Sequence, residues 1–274
     1  MSYKLKRSTL FAFCAASSLF ALDEYMPIPV RVMQINLGLE RTSIAGQYLD
    51  TWESDGLENT NNPTALPMEG KFGLMEQLEA SLAISYLFQD SSGATGLDRP
   101  ILALKYGDSA TGVGGFLAVA LPVGFDDIMI SESFATITLG GMYGKAFGLG
   151  KIYSNASYGF STQDDQKNKI DNIRLFAKPE YSVPMKSPGM KNQYLGVNLG
   201  VTYDYFFNRT VADESVDMTG HLLQIAPGAY YTLNNMVSAE MALPLSLAGQ
   251  NTAETVGFRF KLFFTLDEGL YNTL

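Results

Sequence analysis

Apolar and polar residues alternate along most of this chain with a period of two, in stretches of roughly ten residues. In one of them Leu195, Val197, Leu199, Val201, Tyr203 and Tyr205 hold the odd positions, while Gly196, Asn198, Gly200, Thr202 and Asp204 hold the even ones. Successive side chains of a strand point to opposite faces, so this pattern gives one apolar face and one wettable face. The first stretch sets Met33, Ile35, Leu37 and Leu39 against Gln34, Asn36 and Gly38. The second sets Met68, Gly70, Phe72 and Leu74 against Glu69, Lys71 and Gly73. In the third, Leu78, Ala80, Leu82, Ile84, Tyr86 and Phe88 oppose Glu79, Ser81, Ala83 and Ser85. Further stretches fall near 100–107, 114–122, 132–144, 148–161, 169–183, 193–207, 219–233, 237–246 and 254–266, making twelve strands.

An all-β chain with that many half-apolar strands predicts an antiparallel up-and-down transmembrane barrel, apolar side to lipid and polar side to a lumen. An even strand number returns both ends of the chain to one side of the membrane. Ile44 to Leu49 is therefore read as loop, because a separate strand there makes the count odd. The connections alternate in size. Those near 75–77, 108–113, 145–147, 184–192 and 234–236 are mostly short, as periplasmic turns are; those near 42–66, 89–99, 123–131, 162–168, 208–218 and 247–253 are longer and more polar, as outer loops are. The segment 184–192, with Pro184 and Pro188, is longer than this rule wants. Register can be tested at one hairpin. The strands 219–233 and 237–246 both carry their apolar face on odd positions, which requires a three-residue loop pairing Leu233 with Val237. Asn234 and Asn235 suit such a loop by tolerating left-handed backbone. Aromatic residues gather towards strand ends, at Tyr86 and Phe88, Tyr203 to Phe207, Tyr230 and Tyr231, and Phe258 to Phe264, as in interfacial girdles.

The first 22 residues read as a secretory signal peptide: Lys4, Lys6 and Arg7, then an apolar and small-residue run to Leu22, with cleavage after Ala21. The only cysteine, Cys14, lies in that run, so the mature chain has neither disulfide nor cysteine-based metal site. Removing the leader leaves 16 basic residues against 28 acidic ones, a net charge of −12 that speaks against nucleic acid as a partner. No linker or low-complexity stretch divides the remainder. The expected organisation is a signal peptide over 1–22, a barrel domain over 23–266 and a tail over 267–274. The segment from Asp23 to Val30, with Pro27 and Pro29, is unsuited to a central strand and is expected to fold inward as a plug.

Parity sends Lys71, Glu79, Lys105, Arg174, Lys178, Glu180, Asp204, Glu240, Arg259 and Lys261 to the lumen. A charge on the lipid face at mid-membrane costs roughly 2–4 kcal/mol. Glu79 is expected opposite Gly73 with Lys71 one diagonal step away, and Glu240 close to Arg259 and Lys261, so these groups can pair. They either cross-brace a narrow barrel or line a conduit that orients a polar or amphipathic solute. Nothing points to catalysis. The sole histidine, His221, falls on the apolar face, with Thr219 and Leu223 where a membrane hydrolase would want a serine. The acidic stretch around Asp50, Glu53, Asp55 and Glu58, beside Trp52, lacks an ordered calcium-loop signature. No cofactor or metal is expected.

Several short motifs resemble the outer-membrane family named for the meta-pathway of phenol degradation. They are Gly73 and Leu74 followed by Leu78 and Glu79; Gly96, Leu97, Asp98, Arg99 and Pro100; Lys105 and Tyr106; Leu121 to Gly124; and Leu243, Pro244 and Leu245. Together they span about 68 to 266, with Glu76 and Gln77 standing where the family usually has an arginine. The resemblance implies a transporter-like channel passing small hydrophobic or aromatic molecules across a Gram-negative outer membrane, with membrane lipid and the barrel-assembly machinery as partners. The alternative is a non-transporting structural or surface-interaction barrel with a closed lumen. Oligomeric state and solute identity are left open.

Overall fold

The computed structural model describes residues 27–48, 54–56, 62–89, 95–122, 135–162, 169–187, 190–211, 214–216 and 219–266. The expected signal peptide, Cys14 and the tail over 267–274 lie outside them. Every regular element described is a β-strand. The staves are β1 Met33–Tyr48, β2 Pro63–Met75, β3 Leu78–Gln89, β4 Ile101–Asp108, β5 Val113–Ala120 and β6 Thr136–Phe147. They continue as β7 Gly150–Ser161, β8 Lys169–Ser187, β9 Met190–Val211, β10 Gly220–Thr232, β11 and β12 Thr252–Leu266. β11 is made of Val237–Ala242 and Leu245–Gln250, interrupted at Leu243 and Pro244. Three short pieces, Ser54–Gly56, Thr95–Leu97 and Glu214–Val216, extend hairpins beyond β1, β3 and β9.

Each strand pairs antiparallel with its neighbours in sequence, and the last closes on the first, from Met33 opposite Leu266 to Tyr48 opposite Thr252. The result is a closed twelve-stranded antiparallel barrel. Closure is what the environment demands, because an open sheet edge in hydrocarbon leaves backbone groups unpaired. The alternating pattern resolves as expected. Leu195, Val197 and Leu199 are 46, 58 and 40 % exposed on the outer wall, whereas Asn198, Thr202 and Asp204 are buried inside. The same holds around the ring, with Leu37 and Leu39 outside Asn36 and Glu40, and Phe72 and Leu74 outside Lys71. An apolar belt this continuous needs lipid around it.

Aromatic rings mark both edges of the belt. Tyr106, Tyr143, Phe147, Tyr181 and Tyr194 are exposed near the end where β1 begins and β12 finishes, with the short turns. At the opposite end Tyr158, Phe207, Tyr205 and His221 form a run of neighbouring rings 4.7 to 5.9 Å apart, and the Tyr203 hydroxyl meets His221 Nδ1 at 2.5 Å. Two of the aromatics expected in girdles face inward instead: Tyr230 and Phe263 line the interior. Phe206 is also turned inward and buried, packing with Tyr48 and Leu222. Each sits one residue from an outward neighbour, so a cluster of adjacent aromatics necessarily splits between the two faces.

Several connections differ from expectation. Ile44 to Tyr48 is strand, but it continues β1 past a bulge between Ile44 and Gly46, so the count stays even. Its inner residues Ile44 and Tyr48 are buried, which accounts for apolar residues on what is otherwise the wet face. The segment 247–253 is a tight hairpin rather than a long loop, turning on Asn251 with a φ of 51°. The segment 184–192 obeys the short-turn rule after all: β8 runs to Ser187, which pairs with Met190. Pro184 is tolerated because β7 pairs with β8 only as far as Tyr181, leaving no ladder on that side. The turn placed at 145–147 falls at Gly148 and Leu149, where Gly148 adopts the φ of 59° that a side-chain-bearing residue resists. At the 233–237 hairpin the Leu233 N–H donates to the Val237 carbonyl at 3.0 Å, as the register requires. Asn234 closes it through its side chain, Oδ1 accepting the N–H groups of Met236 and Val237 at 2.8 Å each, and not through left-handed backbone.

A charge placed on the belt should be costly. Leu199→Arg is expected to lower the unfolding free energy by about 2–4 kcal/mol, read from denaturant titration of the folded protein in lipid vesicles; an unchanged midpoint would mean that this face does not meet hydrocarbon.

Candidate functional site

Inside the ring, charged residues sit directly opposite one another on neighbouring strands, the geometry in which side chains reach each other without strain. Glu40 on β1 faces Arg259 on β12, whose Nε and Nη2 reach the two carboxylate oxygens at 3.3 and 3.2 Å. Arg174 on β8 faces Asp204 on β9 in a second fork, at 2.6 and 3.2 Å. Glu79 on β3 faces Lys105 on β4 at 3.6 Å, with side chains only 2 and 1 % exposed. Glu69 on β2 accepts from Asn36 Nδ2 at 2.8 Å and lies 3.5 Å from Lys71 Nζ. Lys178 on β8 reaches over two strands to Glu240 on β11 at 2.7 Å, while its own neighbour Glu180 lies 3.4 Å away. Asn198 on β9 adds a donor to the same Glu240 oxygen at 2.9 Å. Lys261 is buried opposite Glu240 in the β11–β12 register.

All ten residues singled out from parity lie on the inner side. The β2–β3 turn sets Glu79 opposite Gly73, and ion pairs join Lys71 to Glu69 and Glu79 to Lys105. Arg259 is held by Glu40 across the closing seam. Glu40 lies one residue beyond the first alternating stretch, which ends at Leu39; the parity of Gln34, Asn36 and Gly38 carried one step further reaches it. Glu69 was legible by the same rule. Asp98 and Arg99 were not, because their burial follows from an irregular step between the Thr95–Leu97 extension and β4, where Arg99 Nη1 donates to Thr136 at 3.2 Å.

Among the described residues, two cavities lie between these groups. The larger, about 290 Å³, opens at the end with the short turns and is lined by residues of β1–β3, β7, β8 and β10–β12, together with Ile28. The segment before β1 enters here. Ile28 N–H donates to Glu79 Oε2 at 3.0 Å, Arg31 N–H to the Gly73 carbonyl at 2.9 Å, and Gly73 N–H to the Val32 carbonyl at 3.0 Å. Only glycine fits at position 73, since a Cβ there would overlap the Pro29 carbonyl oxygen. Residues 23–26 of the expected plug lie outside the described residues; 27–32 do fold across this mouth. The smaller cavity, about 40 Å³, lies beside Lys178, Asn198, Thr202, Gln224 and Arg259. Towards the end with the longer connections Tyr48, Phe206 and Leu222, with Ile170 against them, form an apolar cluster. Among the described residues no group of three or more His, Asp or Glu side chains could hold a metal ion.

No family model matches the chain, and no curated protein matches it. Solved structures do match in shape. An outer membrane channel from Pseudomonas putida F1 superposes with a TM-score of 0.69 at 13% identity, covering 89% of this chain and 98% of that one. The β-domain of the Bordetella autotransporter BrkA gives a TM-score of 0.54 at 10% identity, covering 86% and 99%. At such identities the likeness shows the fold, which is that of an outer-membrane β-barrel.

The forked pair between β1 and β12 braces the closing seam. Arg259→Met alone leaves a buried carboxylate uncompensated and should cost about 3 kcal/mol. Adding Glu40→Met should recover most of that loss in the same unfolding titration; equal destabilisation in single and double variants would show that the pair is not what matters there.

Proposed function

We propose that this chain is a passive outer-membrane channel for small hydrophobic, aromatic or amphipathic solutes, narrowed at its periplasmic end by the segment that precedes β1. The observation that supports it most directly is the wet interior. Charged and polar side chains line the wall, and a cavity of about 290 Å³ opens among them. Fixed charges in matched pairs hold the wall open to water while leaving little net field to repel a weakly polar solute. The likeness to a channel of known structure and the motif resemblance to the phenol meta-pathway family point the same way.

The competing reading is a closed barrel that scaffolds its loops. It draws support from the apolar cluster of Tyr48, Phe206 and Leu222 and from the segment lodged at the other mouth. Planar-bilayer recording separates the two: a conduit gives discrete current steps, and a sealed barrel gives none. In the channel reading the segment before β1 sets the conductance. Removing residues 23–30 frees Glu79 of the Ile28 amide and vacates the mouth, so the single-channel conductance should rise; an unchanged value would exclude the segment as the constriction.

A further inference from the structure

We propose that the cavity at the periplasmic mouth binds small amphipathic monoanions, a carboxylate or phenolate carried on an apolar body, with Lys151 receiving the anionic end. This deepens the channel reading and rests on it for its place in solute passage.

The charges around the cavity point to this ligand when each is taken with its partners. Glu79 is engaged by Lys105 and by the Ile28 N–H. Glu180 and Glu240 share Lys178, and Lys261 is buried opposite Glu240 as a second cation for the two carboxylates. Lys71 lies against Glu69. Each of these already has a counter-charge or a donor in place. Lys151, at the start of β7, is exposed in the cavity, and its side chain makes no hydrogen bond or ion pair with a described residue. Glu180 stands opposite it in the β7–β8 register, but that carboxylate lies 3.4 Å from Lys178 Nζ. The cavity thus presents one uncompensated positive charge and no uncompensated negative one, so an anion gains what a cation would lose.

The rest of the lining selects an amphipathic anion over a bare inorganic one. Tyr153, Tyr230, Phe263 and Ile28 supply apolar surface within the same space. Tyr230 is braced from behind, its ring packed where a side chain at Gly196 would otherwise stand. At about 290 Å³ the cavity lies near the lower limit, about 300 Å³, of sites that hold small molecules, which suits one ring or a short chain.

The test uses the full-length protein folded in detergent micelles and two probes with matched bodies and opposite charge, a fluorinated benzoate and a fluorinated benzylammonium, followed by fluorine NMR. The benzoate should bind more tightly. Lys151→Gln should weaken it by about threefold to tenfold, Lys151→Arg should restore it, and Lys151→Glu should reverse the preference. Equal affinity for the two probes, no binding of either, or benzoate affinity indifferent to Lys151→Gln would overturn the proposal. Since Lys151 is exposed, its replacement should leave the barrel intact, which the mobility of unboiled samples on a denaturing gel verifies. Bilayer recording on the same preparations judges the channel reading separately. Lys151-dependent benzoate binding without current steps would retain the site and remove the conduit, and current steps without charge preference would do the reverse.

Discussion

A peptide group in hydrocarbon has no water to bond to, and that single fact organises this molecule. It requires every strand to be paired on both sides, hence the seam in which β1 and β12 pair from Met33 opposite Leu266 to Tyr48 opposite Thr252. It confines proline to places where a ladder is already missing, as at Pro184 beyond the reach of β7, or at Pro244, where β11 breaks and the Gly257 N–H turns to the Pro244 carbonyl. It also fixes the period of the sequence. A sheet between oil and water can carry apolar side chains only on alternate residues.

The interior follows from the same constraint in its second form. Charges excluded from the lipid face collect inside, where space is limited and each must find a partner. The barrel solves this with directly opposed pairs, Glu40 with Arg259, Arg174 with Asp204 and Glu79 with Lys105, so that neighbouring strands are joined by side chains as well as by backbone. Lys178 goes further and reaches across β9 and β10 to Glu240. Bracing and solute passage are therefore not exclusive uses of these residues. The same pairs that stiffen the wall leave the mouth with a small, nearly neutral cavity in which one unmatched lysine can matter.

How much of this was legible in the sequence depends on how local its cause is. Strand positions and the inward side of Lys71, Arg174 or Asp204 follow from alternation alone, which one chain displays in full. Turn positions depend on backbone conformation at single residues. Gly148 takes the turn that composition places at 145–147, and Asn251 tightens the connection that composition reads as a longer loop over 247–253, because glycine or asparagine at a left-handed position outweighs the polarity of the neighbours. Partner choice depends on register between strands far apart in sequence, so the Glu40–Arg259 pair, 219 residues apart, could not be read from either strand by itself. The inward side of Lys151 is hard to read from sequence because β7 alternates weakly, with Ser154 and Ala156 on its outer face and Asn155 and Ser157 on the inner one. The inward folding of the segment before β1 was legible only as an unsuitability for strand; the Gly73 approach that receives it is a tertiary fact.

The claim beneath all the others is that the two faces of the wall touch different media. Site-directed spin labelling tests it most directly. Single cysteines introduced one at a time from 195 to 204 in a Cys14→Ser background, with the protein in lipid vesicles, can be probed with oxygen, which partitions into lipid, and with a water-soluble nickel chelate. The account predicts oxygen accessibility that peaks at 195, 197, 199, 201 and 203 and falls at every residue between, with the chelate excluded from those peaks. Uniform accessibility along β9, or chelate reaching the odd positions, would contradict it.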